Sequence, residues 1–375
     1  MNKNIILGWF GTFLQLFLRL SWGVISVPIA ILLHLNTVEI GFVATSFYVG
    51  YVISSIPWGL VIDKIGPNKT ITISALILVP LNLLLFFSLS SYVLLVIVYL
   101  IDGVVAAAIF PSAMKIVAIS HSSESKFTFY IALVESAAPI TILVLSLIAT
   151  ILLHLWKFIY LLMAIGFLLL GIFSSKINSN ATSTEIKRSL RIIFDKRIAL
   201  STLIRLGELW ATWGTTTWIF PMLVLYRDIS PSLSALFLLL FGLGQLVGII
   251  NVDKLVQLVG IVKVILLNLI GFIIISLVLT ISNGLLILSE AFLLGIFSFL
   301  YRPPTDSLIM KIAGNSSAAT SIGYANAVSQ IGTMIAPTVI GLVLYLTKSF
   351  TFSMITLDIG CVISIISLLV LESWL

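Results

Sequence analysis

The sequence predicts an all-α polytopic membrane protein, with twelve transmembrane helices in two pseudo-symmetric six-helix bundles and both termini cytoplasmic. Three observations predict it. Of 375 residues, 60% are hydrophobic and only 9% charged, whereas soluble domains average about 25% charged residues. Apolar runs long enough to span hydrocarbon as helix, about 20 residues each, recur along nearly the whole chain. The basic residues gather in alternate connectors, as the positive-inside rule requires.

The elements follow in order. The first apolar segment, Leu7–Leu33, is too long for the apolar core of a signal peptide and reads as a retained helix. Val38–Ile62 comes next and ends in a short hydrophilic run. Thr70–Leu89, Tyr92–Val117, Phe127–Leu153 and Leu155–Ser175 complete the first six. A polar connector, Lys176–Arg197, rich in Ser, Asn, Thr and bases, then falls near the middle of the chain. It reads as a solvated cytoplasmic loop, with a short amphipathic stretch at Ile186–Phe194 suited to an anionic leaflet. The second six are Ala199–Tyr226, Leu233–Asn251, Val262–Ile281, Leu285–Ile312, Ala318–Leu346 and Phe350–Leu371. The domains expected are thus an N-terminal bundle over 1–175, a linker over 176–198 and a C-terminal bundle over 199–375. With the N-terminus inside, only Lys157, Arg227 and Lys348 fall outside, and Arg19, Arg205 and Arg302 fall within spans.

The halves echo each other. Trp22-Gly23 before Pro28 in span 1 matches Trp213-Gly214 before Pro221 in span 7. Gly103 with Pro111 in span 4 has the spacing of Gly295 with Pro303 in span 10. Ala138-Pro139 in span 5 matches Ala336-Pro337 in span 11, and Asp253-Lys254 follows span 8 as Asp63-Lys64 follows span 2. Four matches at corresponding positions argue for duplication.

Several function classes are excluded. A net charge of +6 invites a nucleic-acid reading, but the bases lie in short connectors on one side of the membrane. No GxxxxGK[ST] loop is present, so ATP is not the energy source through this chain. No HExxH occurs, and His34, His121 and His154 are too scattered for a metal site, so neither an enzyme nor a metal or cofactor is expected. A single cysteine, Cys361, excludes an intramolecular disulfide. A non-transporting membrane sensor of the same fold stays as an alternative of a different class, although sensors usually carry an output domain and no soluble domain is left over here.

The run Gly59-Leu60-Val61-Ile62-Asp63-Lys64-Ile65-Gly66-Pro67-Asn68-Lys69 resembles the signature loop between the second and third helices of the major facilitator superfamily of transporters. The resemblance extends over the chain by helix count, charge topology and repeat. It implies two bundles that rock about a midplane site. It also implies that Gly59 lets two helices approach and that Asp63, with Lys64, Gly66 and Lys69, belongs to a cytoplasmic gate. The chain departs from the family pattern at Pro67 and Asn68, where a base is usual, and at Tyr99, where a fourth-span arginine is common. The second departure weakens transfer of the family's proton-coupling scheme.

Ionisable groups at mid-span cost roughly 2.5–3.5 kcal/mol each and are functional candidates by default. Arg19 and Asp102 lie at similar depth on antiparallel spans and are expected to pair, as a transport element or a structural one. On spans 7 and 10, Arg205 with Glu208 and Arg302 with Asp306 have same-face spacing. Pro303-Pro304 predicts a helix break beside the second pair, with a salt-bridged kink as the alternative. Arg205 and Glu208 lie nearer the cytoplasmic end, where interfacial snorkelling is the alternative. Glu135, lacking a partner on its own helix, is a proton-site candidate or a partner of Lys115 or Lys126. Trp210, Trp213 and Trp218 form a stripe that either stacks on a solute or packs. Asn326 and Gln330 add polar groups on span 11. The expected function is secondary active transport of a small polar or ionisable organic solute across the plasma membrane, proton-coupled and by alternating access. Multidrug efflux by antiport is the alternative. The expected partners are a small-molecule substrate, protons and the lipid bilayer, with the chain monomeric.

Overall fold

The structure, a computed structural model, describes residues 3–120, 130–131, 133–177, 194–314 and 318–374. Lys126, Lys187, Arg188, Arg191, His121 and most of the Ile186–Phe194 stretch lie outside the described residues. The described chain is all-helical and divides into two compact units, Met1–Glu185 and Ile186–Leu375.

The first unit holds α1 (Lys3–Leu20), α2 (Trp22–Leu33), α3 (Thr37–Ile65), α4 (Pro67–Ser88), α5 (Tyr92–Ala106), α6 (Ile109–Ser120), α7 (Ala137–Leu155) and α8 (Lys157–Ser175). The second holds α9 (Lys196–Tyr226), α10 (Pro231–Val259), α11 (Ile261–Ile281), α12 (Leu286–Phe299), α13 (Arg302–Ala313), α14 (Ala318–Thr347) and α15 (Phe350–Glu372). Among the described residues, α1 with α2, α5 with α6, and α12 with α13 each share one crossing. Among the described residues, eleven helices are long and apolar enough to cross a membrane. The twelfth crossing, α9, has the length at 31 residues but carries Arg205, Glu208 and four threonines between Ala211 and Trp218.

Polar residues mark where helices begin. Asn36 and Glu39 form a reciprocal capping box at α3, and Ser91, Ser230 and Ser349 each accept a backbone N–H three residues on. Such caps satisfy amides that have no intrahelical partner.

The repeat is a fact of packing. In the first unit α3 crosses α5 with glycine on both sides. A Cβ on Gly50 would strike the Leu100 carbonyl, and one on Gly103 would strike the Phe47 carbonyl. In the second unit α10 crosses α12 the same way: Gly244 lies against the Phe292 carbonyl and Gly295 against the Phe241 carbonyl. Each carbonyl lies three residues before the partner glycine, so the register is the same in both halves. Small residues let membrane helices approach to backbone contact.

The glycines that end α3 and α10 also correspond. Gly66 and Gly260 adopt φ of 88° and 89°, a region that side-chain-bearing residues rarely occupy. This corrects the acidic echo. Asp63 stands three residues before its glycine, whereas Asp253 stands seven before Gly260, one helical turn further back. The sequence placed the end of span 8 at Asn251, but α10 runs on through Asp253 and Lys254 to Val259.

Candidate functional site

In the second unit, three residues on one face of α9 reach the broken crossing α12–α13. Arg205, Glu208 and Thr212 are spaced by three and four, which aligns them on a helix surface. Arg205, 5% exposed, forms a salt bridge with Asp306 on α13 and donates to Asn326 Oδ1 on α14 at 3.3 Å. Glu208, 1% exposed, accepts the Thr305 hydroxyl at 2.9 and 3.0 Å through its two oxygens. Thr212 donates to the Ser298 carbonyl near the end of α12 at 2.5 Å, and Gln245 on α10 donates to the Ser298 hydroxyl at 3.2 Å. Asp306, Arg302, Asn326 and Gln330 are half-buried, so a partly open rim surrounds a buried acid.

The break is where the prolines predict it. α12 ends at Phe299 and α13 starts at Arg302, with Pro303 and Pro304 in its first turn. The pairing differs from the expectation. Asp306 is held by Arg205 from another helix rather than by Arg302 four residues away, and the Arg302 guanidinium lies 5.9 Å from the Phe299 ring centroid. Arg205 is buried and bonded, so it does not snorkel. Thr305 had no signal in the sequence; a threonine beside two prolines reads as helix packing until its neighbour is known.

The tryptophans pack. Trp210 donates its indole N–H to the Thr356 carbonyl on α15 at 2.9 Å, and Trp218 donates to the Pro337 carbonyl at 2.8 Å. Trp213 is 3% exposed and edge-on to Phe299.

In the first unit the expected Arg19–Asp102 pair is not formed. Asp102 is fully buried and neither carboxylate oxygen has a hydrogen-bond partner. Arg19 instead donates to the Tyr48 hydroxyl at 3.0 Å and lies over its ring at 4.8 Å. Equal depth on two helices says nothing about which way each side chain turns, and that decided the outcome. Glu135 is half-buried next to Ser136, which accepts the Trp9 indole N–H at 3.3 Å. Lys115, one of its expected partners, is engaged elsewhere.

That engagement is with the signature loop. Lys115 on α6 meets Asp63 at 2.6 Å and also reaches the Ile62 carbonyl at 3.3 Å. Lys64 and Lys69 are exposed, and a Cβ on Gly59 would meet nothing within 4 Å; the close approach in this unit belongs to Gly50 and Gly103. Asn68, where the family pattern has a base, turns inward. It donates to the Ile177 carbonyl at 2.9 Å, and its own carbonyl accepts the Ser174 hydroxyl at 2.7 Å. Among the described residues no cluster of three or more His, Cys, Asp or Glu could hold a metal ion.

A family model, the Major Facilitator Superfamily, matches residues 9–337. The chain belongs to the major facilitator superfamily. Solved structures agree on the fold. A bacterial homologue of the human lysosomal transporter Spinster, in an inward-facing and occupied conformation, superposes with a TM-score of 0.82 at 12% identity, over 98% of this chain and 96% of that one. The nucleoside transporter NupG superposes with a TM-score of 0.79 at 14% identity, over 99% of both chains. No curated protein matches the chain at significant sequence similarity. The protein is therefore a multi-pass membrane transporter of the superfamily, and its own buried polar groups must supply the finer reading.

Proposed function

We propose that the chain is a proton-coupled secondary active transporter of a small polar or ionisable organic solute, working by alternating access in the plasma membrane. The observation that carries this reading is the group Arg205, Glu208, Thr305, Asp306 and Asn326 around the break between α12 and α13. Buried ionisable groups are expensive in a membrane and are kept where a pathway or a proton relay needs them. Broken helices beside such groups are a recurring way to build a transporter's site. Asp306 and Asn326, half-buried at the rim, are the groups a solute meets first, and Glu208 behind them is the proton carrier.

Multidrug efflux is less well supported. That alternative fits the tryptophans of span 7 and the spread-out acids, but Trp210, Trp213 and Trp218 are engaged in packing within the second unit. The gate assigned to Gly59, Asp63, Lys64, Gly66 and Lys69 gains Lys115, with the loop and both termini cytoplasmic. The bundles run over 1–175 and 199–375, joined by a linker over 176–198, and the protein works as a monomer without a cofactor.

The test is reconstitution in liposomes loaded with a pH-sensitive dye, challenged with candidate solutes. Solute-dependent proton flux is expected for the natural protein and is expected to vanish in Glu208→Gln and Asp306→Asn. Full proton flux in both variants would overturn the assignment of the site.

A further inference from the structure

α9 holds the two halves of the broken crossing differently. Its grip on α12 is neutral: the Thr212 hydroxyl donates to the Ser298 carbonyl, and no proton uptake changes that bond. Its grip on α13 is made by ionisable groups at two adjacent residues. Glu208 takes the Thr305 hydroxyl with both oxygens, and Arg205 takes Asp306. One turn of α9 therefore separates a fixed attachment from a titratable one, and the break at Leu300–Tyr301 lies between them. Pro303 and Pro304 keep the halves from annealing into a straight helix, because neither can donate a backbone hydrogen bond.

We propose that α13 is a hinged segment whose set-point is controlled by the proton on Glu208. The proposal rests on the reading of this site as the proton-coupling element, and it adds what the proton moves. An ionised carboxylate accepts a hydroxyl proton in a charge-assisted bond roughly twice as strong as a neutral one. A proton on Glu208 weakens the hold on Thr305 and leaves the Arg205–Asp306 contact in place. α13 then pivots about Asp306 while α12 stays fixed by Thr212.

The groups around Glu208 are accounted for on each packed element. Arg205 acts on it from its own helix, Tyr301 from the break, with Arg302 beside that tyrosine, and Cys361 from α15. Thr305 and Asp306 face this group from α13, and Asn326 joins from α14 through Arg205. Asp358 on α15 acts on the same Cys361, so two guanidiniums and three carboxylates make up the formal charge; a proton on Glu208 shifts the balance toward positive, which strengthens Asp306 as the remaining pivot.

The test uses the full-length protein in detergent with no solute. Spin labels are placed at Lys263→Cys and Lys311→Cys, both at exposed positions of the second unit, in a Cys361→Ala background. The distance distribution is expected to shift as pH is lowered from 9 to 5. Glu208→Gln and Thr305→Val are each expected to hold the low-pH distribution at every pH, while Thr212→Val keeps the pH response. A shift that persists in Glu208→Gln and Thr305→Val, or a natural protein that shows none, would overturn the hinge. Failure of the transport reading is seen separately: proton-driven flux without a hinge shift overturns only the hinge. A hinge shift without proton-driven flux supports it and overturns the coupling.

Discussion

The two units answer one packing problem with different chemistry. Each has a crossing broken near its middle, α5–α6 in the first and α12–α13 in the second, and each lays a long helix against the half beyond the break. In the first unit that helix is α1, and the contact is tight and apolar. A Cβ on Gly8 would stand 3.3 Å from Ala113 Cβ, and one on Gly11 would stand 3.1 Å from Ile109. Carrying the Trp22–Trp213 correspondence along the helices puts Leu14 and Phe17, both buried, where the second unit has Arg205 and Glu208. The glycine crossings behind them are the same. At this contact one half is therefore sealed and the other titratable, and the difference lies on both helices: Thr305 and Asp306 also stand where the first unit has Ala113 and Met114.

The largest effect is expected where that difference is removed. Arg205→Ala leaves a buried acid and its neighbour without their cation. It is expected to cost about 3–5 kcal/mol, as breaking a buried pair does, read as a fall in the unfolding midpoint in detergent. Arg205→Met with Asp306→Leu together is expected to recover the part of that stability owed to Asp306 while transport stays lost, since well-packed apolar replacements are often neutral and only Glu208 then lies without its cation. A double variant as unstable as Arg205→Ala would show that the pair is architectural.

The shared part of the comparison is tested next. Gly103→Ala and Gly295→Ala each drive a methyl group into a backbone carbonyl across the crossing. Both are expected to lose about 1–3 kcal/mol or more, by similar amounts. A tolerated substitution on one side would break the equivalence of the halves.

Smaller effects belong to the polar ends. Asp195 caps α9, and its hydrogen bond from the Arg197 side chain holds its carboxyl below the usual carboxylate range. Because the folded value is depressed, the stabilisation is present above the unfolded value of about 3.9. It is lost as pH falls through the lowered one. Asp195→Ala is expected to cost about 1 kcal/mol at neutral pH, and the difference from the natural protein should close in unfolding midpoints measured toward pH 3. The Asp63–Lys115 pair, with Asp63 58% exposed, is worth only about 0.2–1 kcal/mol of stability. Asp63→Asn should therefore leave the unfolding midpoint nearly unchanged while lowering transport rate. An unaltered rate would remove the loop from the gate.

Helix content and order were legible because long apolar runs and their polar breaks are one-dimensional signals. So was the break before Pro303, since proline acts on its own backbone. Within the site, Glu208, Asp306 and Asn326 were visible as polar groups in apolar surroundings. Their partners were not, because same-helix spacing reports only same-helix neighbours, and Asp306 is held from α9. Arg19 and Asp102 failed for the same reason: hydropathy fixes depth and leaves rotation about the helix axis free. The tryptophan stripe had the right period for a binding wall, but an indole N–H bonded to a carbonyl of the next helix is a three-dimensional fact.

The proline pair at the start of α13 has a consequence for exposure to lipid. Pro303 and Pro304 occupy the positions whose amides would have served the carbonyls of Phe299 and Leu300. Lipid offers those carbonyls nothing, and non-helical backbone at membrane depth survives only inside protein or beside water. Phe299, Leu300 and Tyr301 are buried, so the crease between α12 and α13 meets that condition by being enclosed in the protein of the second unit rather than facing lipid.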